Sequence, residues 1–222
     1  LIKRYQLAMK AIIFSLLGWI FLPVMDGFAK FLSTDLPILQ ITWARYFFTV
    51  IFTLPIMFFF FNKQLVWSDK PKLQILRGLI LLAANICFFY SISIISLAKA
   101  LTLAFIAPLI VTAFSPLFLG EKVGIRRWTA VIIGFIGSLV VIRPGFLELN
   151  IASLSALCTG FFYGFYLIIT RKLSKSDNPL LTLLMTGFVG AILVSLVIPF
   201  YWVKPTLNQW SLMAGIGVFA CI

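Results

Sequence analysis

Long apolar runs follow one another along the chain, and short polar turns separate them. About 20 apolar residues form a helix that crosses the hydrocarbon core of a membrane, so the runs predict spanning helices. The segment Ala98–Gly145 shows this best, since its two runs are joined by the charged turn Gly120–Arg127. The predicted spans are 11–31, 38–61, 74–96, 97–119, 128–142, 151–170, 180–201 and a further one from 210 onward.

Prolines and small residues lie inside several of these runs. Pro23 and Pro108 predict kinks beside a cavity, because interrupted helices often border binding sites in membrane proteins. The stripe Ala130-xxx-Gly134-xxx-Ser138 and the pair Gly187 and Gly190 predict close helix packing instead.

Composition supports the membrane interpretation. The chain has 222 residues, of which 62% are hydrophobic and 11% charged, with a mean hydropathy of +1.11. Soluble domains carry roughly 25% charged residues, so a soluble fold is excluded. The sequence has no histidine, and Cys87, Cys158 and Cys221 each stand alone in an apolar run. We therefore expect inert thiols, no metal, no cofactor and no enzymatic activity.

The net charge of +12 reflects membrane orientation rather than nucleic-acid binding. Basic residues concentrate in alternate turns, as expected when those turns face the cytoplasm, and this predicts a cytoplasmic N-terminus. Of the 18 Lys and Arg residues, those on the cytoplasmic side are Lys3, Arg4, Lys10, Lys63, Lys70, Lys72, Arg77, Lys122, Arg126, Arg127, Arg171, Lys172 and Lys175. On the other side lie Lys30, Lys99, Arg143 and Lys204, and Arg45 falls inside a span.

An internal repeat relates two turns of the chain. Each has Leu-Ser followed by Asp-x-Pro, with the aspartates at Asp35 and Asp177, 142 residues apart. Five predicted spans separate them, so the second copy is inverted, as in many secondary transporters. The chain begins at Leu1 and ends inside an apolar run at Ile222, and we expect a fragment of a longer protein with ten spans.

Specific motifs give the chain a family resemblance. They are Asp26-x-x-x-Lys30, Trp43-x-Arg45-Tyr46, Ala104-Phe105-Ile106-Ala107-Pro108-Leu109, Phe118-Leu119-Gly120-Glu121-Lys122, Arg127-Trp128, Gly134-Phe135-Ile136-Gly137 and Arg143-Pro144-Gly145. The chain resembles EamA-type transporters of the drug/metabolite transporter superfamily, in the bacterial branch that contains S-adenosylmethionine and riboflavin uptake transporters.

The resemblance implies an all-α membrane protein of the bacterial inner membrane. It implies an inverted repeat of five transmembrane helices, with the first repeat at residues 1–146 and a truncated second at 147–222. A small-molecule metabolite would then cross the lipid bilayer by secondary-active, alternating access. Export of amino acids or drugs on the same fold and a membrane protein that does not transport are the alternatives. A coupling ion such as the proton and a homodimer stay open, and the absence of a GxxxxGK[ST] loop argues against ATP hydrolysis.

Asp26 and Arg45 are the sharpest candidates for a substrate site. Charges inside hydrocarbon cost about 3 kcal/mol or more, so each needs a partner or water. Both lie roughly 8–11 Å from the outer ends of their spans, at 1.5 Å per residue. We expect them to pair, with Lys30 sharing the pair from the same helix face. The pair would either contact substrate or protons, or only hold the first two helices together.

The remaining candidates are polar side chains within the spans. Asn85 fits either a cavity wall or an interhelical hydrogen bond. Glu121 fits an ion pair in its turn or a gate. The substrate-binding or gating candidates are Asp26, Lys30, Arg45, Tyr46, Asn85, Tyr90, Tyr163 and Tyr166, where Tyr90, Tyr163 and Tyr166 fit packing as well as substrate stacking.

Overall fold

The computed structural model describes residues 20–60, 68–142 and 150–221, together with Met9 and Gly18. These residues form helices joined by short turns, and five helical stretches among them are long and apolar enough to cross a membrane. The helices are α1 over 20–32, α2 Ile38–Phe60, α3 Pro71–Ile94, α4 Leu97–Ala104, α5 Ala107–Leu119, α6 Ile125–Ile142, α7 Ile151–Leu173, α8 Pro179–Val197 and α9 Leu207–Phe219, with a 3₁₀ turn at Ile198–Tyr201.

The all-α membrane fold expected from the sequence is confirmed, and the described helices overlap the predicted spans. Residues 11–17 and 19 of the first predicted span lie outside the described residues, as do Lys3, Arg4, Lys10, Lys63 and Arg143. The starts of the helices are set by local chemistry. Pro71 and Pro179 occupy the first turns of α3 and α8, where a missing N–H is harmless. Thr206 and Gln209 form a reciprocal capping box that starts α9 three residues before the predicted position 210.

The fourth span is broken into α4 and α5 at Phe105 and Ile106. Pro108 has no N–H, so the carbonyl of Ala104 lacks the donor that a continuous helix would give it. A Cβ added to Gly160 of α7 would lie 2.6 Å from that carbonyl oxygen, so only glycine lets α7 approach so closely. The predicted kink is therefore present at Pro108, whereas α1 stays helical through Pro23.

Helix packing is reciprocal about the contact between α2 and α8. Helix α3 packs on α8 and on α7, while α9 packs on α2. Helix α9 also reaches α1, where Phe28 and Phe219 lie with ring centroids 5.8 Å apart. Exchanging α1, α2 and α3 with α7, α8 and α9 maps each of these contacts onto another. This is the pattern expected of two repeats related by a twofold axis.

Small residues act differently in α8 and α6. A Cβ on Gly190 would meet the ring of Tyr46 at 2.4 Å, and one on Gly187 would meet Val50 at 2.8 Å. The close packing predicted for this pair is thus confirmed at the contact between α2 and α8. A Cβ on Gly134 of α6 would meet nothing within 4 Å, so the close packing predicted for the stripe is not found at Gly134 within the described part of the chain.

The structure corrects the register of the internal repeat. The N–H of Leu36 bonds to the carbonyl of Leu32, and the N–H of Asp177 bonds to that of Leu173, both at 2.9 Å. The repeat is therefore offset by 141 residues, the separation of Leu32 and Leu173, and not by 142. Asp177 therefore occupies the position of Leu36 in the turn. The two Asp-x-Pro motifs that predicted the repeat are out of register by one residue.

Asp177 joins the turn between α7 and α8 to the start of α3. Its carboxylate accepts hydrogen bonds from the Ser68 hydroxyl and from the Gln74 amide, the latter at 2.6 Å. Burial on its own raises the pKa of Asp177, but these hydrogen bonds and the nearby Lys70 charge outweigh it, so the pKa lies below its ordinary value.

Candidate functional site

A cavity of about 240 Å³ lies where α1, α2, α3, α4 and α7 converge. Pockets for drug-sized ligands commonly span roughly 300–1,000 Å³, so this space suits a smaller molecule. We call it the Asp26 cavity. Its wall is formed by Leu22, Pro23, Met25, Asp26, Arg45, Ala84, Asn85, Phe88, Leu101, Ala104, Phe105, Thr159 and Tyr163.

Asp26 and Arg45 supply the charged side chains of this wall. Asp26 is 7% exposed, and the Arg45 charge is near enough to act on it electrostatically. The expected ion pair is nevertheless not formed, because no nitrogen of Arg45 lies within 4.0 Å of the Asp26 carboxylate. Neither side chain forms a hydrogen bond with another described residue. Both charges are thus left facing the cavity, where a buried ion without a partner costs several kcal/mol.

Packing fixes the backbone on either side of these two charges. Met25 precedes Asp26 and is 1% exposed in the main hydrophobic core. Ala44 and Tyr46 flank Arg45 and are 0% and 2% exposed. The backbone segments that carry the two charges are therefore held in place by their buried neighbours, and the separation of the charges follows from helix packing.

Lys30 does not join Asp26. Its ammonium group donates to the carbonyl of Ile92 and, at 3.3 Å, to that of Ile95. These are carbonyls at the end of α3, which lack donors within the helix and carry its partial negative charge. Lys30 lies four residues after Asp26 on the same helix face, but its ammonium group binds these carbonyls in preference to the Asp26 carboxylate.

Asn85 lines the cavity and also donates from its amide to the hydroxyl of Tyr46. Both alternatives drawn from the sequence, a cavity wall and an interhelical hydrogen bond, thus apply to the same residue. Tyr46 itself is buried against Gly190 and is not part of the cavity wall. Its hydroxyl accepts the hydrogen bond from Asn85 and so fixes the orientation of that amide at the cavity wall.

A second cavity, of about 350 Å³, adjoins the first at the break between α4 and α5. We call it the Pro108 cavity. Leu101, Ala104, Phe105 and Tyr163 line both spaces, so the broken segment and one tyrosine separate them. Its other lining residues are Ala107, Pro108, Val111, Thr112, Arg127, Val131 and Leu167.

The other tyrosine candidates separate into two groups. Tyr163 lines both cavities and stacks on Tyr166, with ring centroids 5.4 Å apart. Tyr166 lines neither cavity, and its hydroxyl accepts a hydrogen bond of 2.7 Å from Arg77. Tyr90 is half-buried and also lines neither cavity. The structure thus brings Asp26, Arg45, Asn85 and Tyr163 together in the wall of the Asp26 cavity, whereas Lys30, Tyr46, Tyr90 and Tyr166 do not line it.

Arg77 is a buried cation that the sequence interpretation assigned to a cytoplasmic turn. It is 4% exposed, inside α3, and donates to Thr170 at 2.7 Å, to the carbonyl of Thr182 at 3.0 Å and to Thr186. Its guanidinium carbon also lies 4.5 Å from the ring centroid of Tyr166. Pro71 at the start of α3 was the available signal, because it places Arg77 almost two turns inside the helix.

Glu121 pairs with Arg171 and not with the basic residues of its own turn. The carboxylate and guanidinium lie 3.0 Å apart, and the side chains are 28% and 48% exposed. This contact joins the end of α5 to the end of α7. The ion pair expected at Glu121 is present, with a partner from α7 in place of the basic residues of its own turn.

Comparison with known proteins agrees with the fold. The chain is 26% identical over 206 residues to the S-adenosylmethionine uptake transporter of Rickettsia bellii, covering 90% of this chain and 70% of that protein. It is 26% identical over 207 residues to the riboflavin transporter of Vibrio cholerae, covering 90% and 68%. It is 27% identical over 205 residues to the pseudopaline exporter CntI of Pseudomonas aeruginosa, covering 90% and 70%.

A solved crystal structure shares the fold, with a TM-score of 0.70 at 16% identity, over 91% of this chain and 70% of that one. The profile of the EamA-like transporter family matches residues 9–143, more than half of the chain. On this match, and on relatives named for transport in both directions, the chain belongs to the EamA-like transporter family of the drug/metabolite transporter superfamily.

Proposed function

We propose that the protein is a secondary-active transporter that binds a small metabolite in the Asp26 cavity and moves it by alternating access. The observation that carries this proposal is the pair of adjoining cavities separated by the break in the fourth span. A substrate in the first cavity has only Leu101, Ala104, Phe105 and Tyr163 between it and the second. Interrupted helices at such a midpoint support a site that opens to either side in turn.

Two repeats support the same proposal. We place the boundary between them after residue 146, with 1–146 and 147–222 as the repeats. The reciprocal contacts of α1, α2 and α3 with α7, α8 and α9 support rocking of one repeat against the other. We further propose residence in the inner membrane with a cytoplasmic N-terminus, on the basis of the alternating basic turns. Labelling of single cysteines placed at 69 and at 204 in intact cells tests this, since only position 204 is expected to react.

Uptake into proteoliposomes tests the transport mechanism. The protein is reconstituted, and radiolabelled S-adenosylmethionine and riboflavin serve as probes because relatives are named for them. Accumulation above the outside concentration that requires an imposed proton gradient supports secondary-active transport coupled to protons. Equilibration that is indifferent to any ion gradient contradicts active transport, and no flux of either probe counts against import of these substrates.

Export is a second candidate, because one relative is named as an exporter. Direction is tested with inside-out and right-side-out vesicles under the same gradient. Flux confined to inside-out vesicles indicates export, and flux confined to right-side-out vesicles indicates import.

A further inference from the structure

We propose that the Asp26 cavity selects zwitterionic metabolites, holding an anionic group at Arg45 and a cationic group at Asp26. This inference rests on the proposed transport function and names the substrate class of that site. It starts from two opposite charges that line one cavity without touching each other. Arg45 has five N–H donors and Asp26 two acceptor oxygens, and none is used by a described side chain.

Among the described residues that line the cavity, no third charge competes with these two. Lys30, on the same helix as Asp26, is bound to carbonyls of α3. Arg77, on the helix that carries Asn85, is surrounded by threonine and tyrosine oxygens. Arg127 lines the Pro108 cavity only. The electrostatic character of the Asp26 cavity is therefore that of one dipole, from Asp26 to Arg45.

Such a dipole discriminates by charge type. A simple cation is attracted by Asp26 but repelled by Arg45, and a simple anion meets the reverse. A neutral molecule leaves both buried ions without partners. Only a ligand with both charges provides a partner for each, and the low local dielectric strengthens both contacts.

The rest of the wall fits the organic part of such a ligand. Phe88, Phe105 and Tyr163 provide aromatic faces, which pack on apolar groups and also attract cations. The Asn85 amide nitrogen is bonded to Tyr46, and its amide oxygen is available as an acceptor because no described residue donates to it. A small amino acid or a related compound with an apolar side chain matches these features.

Matched trios of compounds test the charge requirement. The first trio is L-phenylalanine, phenethylamine and hydrocinnamate, and the second is L-leucine, isoamylamine and isocaproate. Each trio compares a zwitterion with the amine and the acid of the same skeleton. Binding is measured as the shift in thermal unfolding temperature of the purified protein across a concentration series. We expect a half-saturating concentration for the zwitterion at least tenfold lower than for its amine or its acid in at least one trio.

Charge-neutral variants provide the second test. Arg45→Gln removes the repulsion of amines, so phenethylamine gains at least tenfold relative to phenylalanine. Asp26→Asn gives the same gain to hydrocinnamate. Arg45→Lys keeps the charge and serves as the control, which retains the preference for the zwitterion. Each variant is first checked for a single symmetric peak in size-exclusion chromatography, and the trios are run only on variants that pass.

Two results overturn the inference. One is an amine or acid that binds as tightly as its zwitterion in both trios, and the other is the absence of any shift with both zwitterions. Riboflavin separates this failure from failure of the transport function, because it carries neither an ammonium nor a carboxylate. Riboflavin flux that neither amino acid inhibits leaves the transport function intact and refutes zwitterion selection.

Discussion

Gln74 donates a hydrogen bond of 2.6 Å to the carboxylate of Asp177, and Gln209 donates one of 3.1 Å to Asp35. In each case a glutamine in the first turn or two of a helix binds the turn that joins two other helices. The two contacts differ in environment, because Asp177 is buried and Asp35 is exposed. Asp177 also accepts from Ser68. We therefore expect the hydrogen bonds at Asp177 to contribute much more to the free energy of unfolding than the hydrogen bond at Asp35.

Replacement Asp177→Asn is expected to lower the free energy of unfolding at pH 7 by about 1.5–3 kcal/mol, since hydrogen bonds to a charged group are lost. The pKa of Asp177 is lowered in the folded protein. Its contribution is therefore fully present above the unfolded value of about 4 and is lost as the pH falls through the folded pKa. The measurement is thermal unfolding in detergent, followed by tryptophan fluorescence, from pH 8 to pH 3.

Asp35→Asn is the matched control for this series, and we expect it to change stability by less than about 0.5 kcal/mol because its carboxylate is exposed. The difference between wild type and Asp177→Asn stays constant from pH 8 to 5 and shrinks as the pH falls from about 4, the unfolded value, through the lower pKa of the folded protein. A difference that grows on acidification contradicts the assigned role of Asp177.

Gly190→Ala is expected to destabilise the protein by about 1–3 kcal/mol, because the added methyl group overpacks the contact between α2 and α8. Its Cβ would lie 2.4 Å from the ring of Tyr46, which is itself buried. Gly134→Ala in α6 is the control, since its Cβ meets nothing within 4 Å. That control is expected to gain up to about 1 kcal/mol from helix propensity. Equal thermal unfolding temperatures of the two variants contradict the close packing at Gly190.

Arg77→Lys is expected to lower stability by about 2–3 kcal/mol, because the ammonium cannot reach the four oxygens that the planar guanidinium binds. Arg77→Met is expected to cost less, since it removes the buried charge and fills the volume. Thr170 and Thr186 keep their hydroxyl bonds to Tyr166 and Thr182 in both variants. Thermal unfolding in detergent ranks the variants, and a lysine variant as stable as wild type contradicts this account of the site.

Asp26→Asn is expected to leave the unfolding free energy unchanged or to raise it by about 1 kcal/mol, because an unpaired buried charge is removed. Flux of any transported probe in proteoliposomes falls at the same time. Asp26→Glu is the control, because it keeps the negative charge and changes the length of the side chain, whereas Asp26→Asn keeps the shape and removes the charge. Loss of folded protein in Asp26→Asn favours the alternative in which Asp26 only holds α1 against α2.

The length of the apolar runs was sufficient to predict the helices, because a membrane span depends on total hydrophobicity rather than on particular contacts. Depth along the helices also placed Asp26 and Arg45 at one cavity. It did not determine how each helix is rotated or how far apart the helices lie, and so the direct ion pair was wrong. Arg77 was missed for a related reason, since counting charges by turn does not show that threonine oxygens from α7 and α8 surround it.

The register of the repeat shows another limit. Asp35 and Asp177 match in sequence, but the turn geometry pairs Asp177 with Leu36. A motif with only two matched positions cannot show that the two turns are shifted by one residue relative to each other. As a result of this shift, the position that holds the buried carboxylate of Asp177 in the second turn holds Leu36 in the first, where it is 5% exposed in the main core.

The break between α4 and α5 is also the point at which the fourth span is expected to bend most easily. A continuous helix resists bending because bending stretches hydrogen bonds between successive turns. Pro108 offers no such bond to Ala104, and the glycine of α7 beside it presents no side chain to obstruct a change of angle. We expect helix α4, which has 8 residues and is about 12 Å long, to tilt as a rigid unit at this break. Such a tilt would move Leu101 and Ala104, two of the four residues that separate the cavities, while the hydrogen-bonded turns of α4 stay intact.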